Sequence, residues 1–155
     1  MSSYGLSLVL AIIACVIGGV LGGLSLVRPH SILGLTALET DPVDAVEDAG
    51  ATGGARTEGR ALGGLLILSH AATALFLGYQ SHVGAAMAFA LAMAWMGAAL
   101  GRAVSALVDR APADNARGRF NLGSLAFEIL IAVTLSLPFF NAGRLVVLRG
   151  HGMLV

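Results

Sequence analysis

Six residues of this sequence carry side chains that hydrocarbon rejects, yet they sit in or beside long apolar stretches: Glu58, Arg60, His70, Arg102, Asp109 and Glu128. Their types allow three kinds of chemistry. Arginines and carboxylates can pair with one another, arginines can hold an anion, and a buried carboxylate can pass a proton. A charged group at the centre of a membrane helix costs about 2.5 to 3.5 kcal/mol on insertion scales, so each of these side chains needs a partner or a wet cavity. Which chemistry applies depends on the elements that position them.

The elements are membrane spans. The chain has 155 residues, 57% of them hydrophobic and only 12% charged, with a mean hydropathy of +0.86. A helix needs about 20 mainly apolar residues to cross the ~30 Å hydrocarbon layer. Four such stretches fit, at about residues 6–27, 58–79, 83–108 and 120–140, and they use nearly the whole chain. The reading is an all-α membrane protein, a four-transmembrane-helix antiparallel bundle forming a single membrane domain over residues 1–155.

The connections support that division. Arg28-Pro29-His30 ends the first stretch with a charge and a proline together, because proline lacks the amide a helix interior requires. A short apolar piece follows from Ile32 to Leu38, and an acidic, glycine-rich loop spans residues 39–56. Its carboxylate spacing matches no calcium loop, so it reads as a solvated connector. Gln80-Ser81-His82 is too short to join anything but antiparallel neighbours. A polar loop from Asp109 to Arg119 leads to the fourth stretch, which Pro138 bends or ends, and the remaining tail reads as skimming the membrane surface. The first stretch lacks a basic leader and continues well past Ile12-Ile13-Ala14-Cys15, so it reads as a retained span, not a signal peptide.

Depth along these helices suggests who pairs with whom. Arg102 and Glu128 each lie about seven residues in from the same side, or about 10 Å at 1.5 Å per residue. Glu58 and Arg60 enter from that side at the start of the second span, and Asp109 closes the third. One reading is an internal salt-bridge network that fixes helix register. The other is a polar cavity in which Arg60 and Arg102 hold an anionic ligand or lipid head group; a proton path through Glu128 is a third. His70 lies about 16 Å deep by the same arithmetic and reads as a hydrogen-bonded interior residue. A haem held between helices would want a second deep histidine, whereas His30, His82 and His151 are terminal or in loops. No cofactor and no metal are expected.

Glycines mark the packing faces. Gly18, Gly19, Gly22 and Gly23 form two overlapping Gly-xxx-Gly pairs in the first span, and Gly97 and Gly101 form another in the third. Such pairs let a second helix approach closely. For the first set, packing within this same chain is the preferred reading. Cys15, the sole cysteine, reads as a small packed hydrophobe, and Trp95 as packed or facing lipid.

All nine basic residues are arginine and balance nine acidic ones, so nothing favours nucleic acid. Arg28, Arg56, Arg60, Arg110, Arg117 and Arg119 fall on the long-loop side and Arg144 and Arg149 on the terminal side. The excess of basic residues on cytoplasmic loops then puts the long loops inside and both termini outside. No nucleophile elbow, Cys-x-x-Cys, phosphate loop or His-Glu-x-x-His helix occurs, so the chain is not expected to be an enzyme.

Thr57-Glu58-Gly59-Arg60-Ala61-Leu62-Gly63-Gly64, then Gly101-Arg102 with Asp109, and Glu128 in the last span resemble a bacterial family of small four-helix membrane proteins known only as a domain of unknown function. The likeness covers most of the chain. Leu62, where an aromatic residue is expected, and the long acidic first loop depart from it. The resemblance implies the four-helix fold and the importance of Glu58, Arg60, Arg102 and Glu128, and it lends no activity. The expected role is an accessory or structural subunit in the bacterial inner membrane, packed among lipids and against a larger membrane complex. The alternative is a small transporter or binding protein using the buried arginines.

Overall fold

The computed structural model describes residues 3–27, 49–108 and 116–150. All of these but Gln80 lie in four helices: α1 (Ser3–Val27), α2 (Ala49–Tyr79), α3 (Ser81–Val108) and α4 (Ala116–Gly150). Each contains a stretch long and apolar enough to cross a bilayer, at Ser3–Val27, Thr57–Tyr79, Ser81–Val104 and Leu122–Ala142. The chain is therefore all-helical among the described residues, with four candidate spans.

Side-chain size is sorted in the direction that hydrocarbon demands. Ser7, Ala11, Ala14, Cys15, Gly18, Gly22 and Ser25 form the buried face of α1, while Leu6, Val9, Ile13, Val16, Val20 and Leu24 point outward. In α3 the buried line is Gly84, Ala85, Ala88, Ala92, Trp95 and Ala99, with Met93, Leu100 and Val104 outside. Water would favour the reverse. In lipid, bulk gains nothing by going inside, and small residues let backbones approach.

Two compact units are distinguished, Val16–Ala71 in one and Met1–Cys15 with Ala72–Val155 in the other. In the first, α1 and α2 run antiparallel: Gly18 lies against His70, and four residues on, Gly22 lies against Gly63, Leu66 and Ile67. A Cβ at Gly22 would come within 2.7 Å of the Gly63 carbonyl oxygen, and the converse holds at Gly63.

In the second unit, α2 turns into α3 through Gln80 alone. Its amide donates to the Phe76 carbonyl at 2.8 Å, and the Gly84 amide donates to the Gln80 carbonyl at 2.9 Å. The α2 backbone at Phe76 and Leu77 passes so close to Gly84 that any side chain there would strike it. Helices α3 and α4 then pack antiparallel. Phe89 stacks on Phe139 with centroids 4.5 Å apart near one end, and Arg102 meets Glu128 near the other. Trp95 meets Phe127 edge-on at 6.1 Å.

Three boundaries differ from expectation: the start of α2, the end of α4, and the start of α4, which lies at Ala116 inside the expected polar loop. Helix α2 starts at Ala49, so the second half of the supposed connector, including Gly50, Gly53 and Gly54, is helical. Intrahelical hydrogen bonding outweighs the modest penalty of glycine. Pro138 lies inside α4 and neither ends it nor marks its edge, and the helix continues to Gly150 where a surface-skimming tail was expected. The hydroxyls of Thr134 and Ser136 donate to the Leu130 and Val133 carbonyls in the turn before the proline. Asp109, the Ile32–Leu38 piece and the acidic residues from Glu39 to Asp48 lie outside the described residues.

Candidate functional site: the Arg102–Glu128 pair

Glu128 stands on the α4 face that also buries Ile131, Ala132 and Leu135. Successive turns of one helix set these positions in line, so the sequence that packs α4 on α3 also carries a carboxylate into the interface. Arg102 approaches from α3, one turn beyond the buried Ala99. Its Nε donates to Glu128 Oε1 at 2.6 Å. The carboxylate side chain is 3% exposed and the guanidinium side chain 19%, so the anion is enclosed and the cation covers it from the outer side.

The second carboxylate oxygen, Oε2, is buried with no hydrogen-bond partner. Desolvating a charged acceptor without a donor is costly. The pair thus joins α3 to α4 and leaves one carboxylate oxygen without a donor.

Of the remaining candidate residues, Glu58, Arg60 and His70 belong to the other unit. Glu58 and Arg60 are exposed, where a long side chain needs no buried partner. His70 is 1% exposed. Its Nδ1 donates to the Leu66 carbonyl at 2.7 Å, with Ser69 Oγ 3.5 Å from the same nitrogen. A carbonyl oxygen can only accept, so Nδ1 carries a proton. The far edge of the ring lies against Gly18, where even a methyl group would collide with it.

The glycine pairs divide by face. Gly18 and Gly22 are the close-approach positions, whereas a Cβ added at Gly19, Gly23, Gly97 or Gly101 would meet no atom of the described residues within 4 Å. Gly97 and Gly101 stand off the buried line of α3, which runs through Ala88, Ala92, Trp95 and Ala99. The sequence reading passed over Gly84 and Ser25. Gly84 was detectable, since it stands four residues from so short a link; the buried Ser25 carried no signal beyond being polar in an apolar run.

Fold and site together define a polytopic membrane protein of four helices with an intramembrane Arg–Glu pair. Residues 5–138 match the family described as Domain of unknown function (DUF4345), and the chain belongs to that family. No curated protein and no solved structure matches it.

Proposed function

We propose that the protein is a non-catalytic accessory or structural subunit of the bacterial inner membrane, docking on a larger membrane assembly. The observation that carries this reading is the Gly97–Gly101 pair, exposed on α3, where an added Cβ would meet nothing within 4 Å among the described residues. A helix facing only lipid gains nothing from glycine and loses about 1 kcal/mol of helix propensity at each one. A second helix seated there recovers that loss through close packing. Gly19 and Gly23 offer α1 a similar face.

Purification of a tagged chain in mild detergent tests the reading. A stoichiometric membrane partner is expected with the wild type and is lost in Gly97→Leu/Gly101→Leu, whereas a wild-type chain that migrates alone removes the proposal. The arginine distribution supports cytoplasmic long loops and external termini. Single cysteines placed in each loop of a Cys15→Ser background should then label from opposite sides of the membrane.

The partial exposure of Arg102 favours a second reading, a polar site for an anionic ligand near Arg102 and Glu128. The neutral Arg102–Glu128 pair weighs against a free anion, because the guanidinium charge is already matched at 2.6 Å. Sulfate or phosphate binding that disappears in Arg102→Ala would favour it over docking.

A further inference from the structure

Helix α2 is the least covered of the four spans: the apolar window of Thr57–Tyr79 is 22% buried, against 28% or 33% in the others. Its inner face is marked by Gly63, Leu66, Ile67 and His70, which lie against α1. The opposite face carries Ala61, Leu65 and Leu68, all exposed, the two leucines at 65% and 72%. Apolar positions four and three residues apart are the spacing by which two helices pair along a seam.

Opposite charges flank this face. Counting about 100° per residue, Glu58 stands roughly 50° to one side of the Ala61–Leu65–Leu68 line and Arg60 roughly 110° to the other. Both are exposed, and neither has a partner among the described residues. Their own helix supplies none. Residues two apart do not face each other, and no residue three or four positions from either carries the opposite charge. Arg56, four residues before Arg60, adds a like charge on that flank.

Symmetry indicates what answers both flanks at once. Copies of one chain enter a membrane the same way round, so two of them are related by a two-fold axis along its normal. Half a turn about that axis brings the Glu58 flank of each copy beside the Arg60 flank of the other. The two residues differ by only about 3 Å along the helix, so the flanks meet at nearly equal height. An unrelated helix would need the reverse charges by coincidence, whereas a second copy carries them by necessity.

We propose that the outer face of α2 joins two copies of this chain side by side. Ala61, Leu65 and Leu68 form the seam, and Glu58 of each copy pairs with Arg60 of the other on both flanks. Flanking pairs of this kind select partner and orientation more than they add strength. The proposal is independent of docking at Gly97 and Gly101, which uses a different helix.

The test mixes donor- and acceptor-labelled full-length chains in phosphatidylcholine vesicles and reads energy transfer between them. Micelles isolate one chain from another, so bilayers are used. The wild type should give transfer that excess unlabelled chain abolishes. Glu58→Arg alone and Arg60→Glu alone each set like charges together on both flanks, and each should weaken association about tenfold. Glu58→Arg/Arg60→Glu should restore it. So should an equal mixture of the two single variants, one carrying the donor and the other the acceptor, because every flank then meets its opposite. Gly97→Leu/Gly101→Leu should leave the signal unchanged. Absence of transfer in the wild type overturns the proposal, as do single variants that associate normally. Single variants that stay apart even when mixed also overturn it, since the charges then serve contacts within the chain or with another protein. A signal abolished by Gly97→Leu/Gly101→Leu would put the second copy on α3 and overturn it as well.

Discussion

Removing one half of the Arg102–Glu128 pair strands the other in a low-dielectric interface, which costs about 3 to 5 kcal/mol. Arg102→Ala and Glu128→Gln should each lower the thermal midpoint in detergent, and Arg102→Met/Glu128→Met should recover most of the loss. A second coupling lies in the α1–α2 unit, where a side chain at Gly18 meets the His70 ring. Gly18→Ala is expected to cost about 1 to 3 kcal/mol by overpacking. In a His70→Ala background the same change should cost far less, since the colliding ring is gone; a double-mutant cycle on unfolding midpoints reads the difference. The Arg102–Glu128 pairing was legible in the sequence because depth follows from counting residues. The Gly18–His70 contact was not, because counting gives depth and leaves the rotation of each helix open.

The α2–α3 hairpin depends on one position. Gly84 lies beneath the backbone of Phe76 and Leu77, which cannot move aside as a flexible side chain can. Gly84→Ala should therefore destabilise by about 3 kcal/mol or more, at the upper end of overpacking costs, and should appear as poor accumulation in the membrane. The equally helical Gly97→Ala should stabilise the isolated chain slightly, by up to about 1 kcal/mol of helix propensity, since that position is open. Four helices and their order were readable from apolar length alone. Helix ends were not: α2 gained Ala49–Arg56 and α4 ran past Pro138 to Gly150. Glycine is a weak stop signal because intrahelical hydrogen bonds outweigh its modest propensity cost, and proline is tolerated where lipid penalises every unpaired backbone group.

For the whole molecule, outward bulk and inward smallness predict an inverted sensitivity to truncation. Leu68 and Leu75 are exposed, and trimming either to alanine leaves no cavity. Leu135 is fully buried between helices. Leu135→Ala should lower stability by about 2 to 5 kcal/mol, while Leu68→Ala and Leu75→Ala shift the midpoint in micelles hardly at all. Equal losses at the three positions would mean that the outward faces are covered within the chain.

The sequence alone determined that this is a four-span membrane protein, because the free energy of crossing hydrocarbon depends on composition and length and on little else. It also brought Arg102 and Glu128 to similar depth, since rise per residue is fixed. Tertiary structure decided what depth cannot express: which glycines face a neighbour, that Glu58 and Arg60 are exposed and not buried, and that Glu128 keeps an unpartnered oxygen. Those outcomes depend on the rotation of each helix about its axis. Lipid on every side exerts little preference over that angle, so packing between helices sets it.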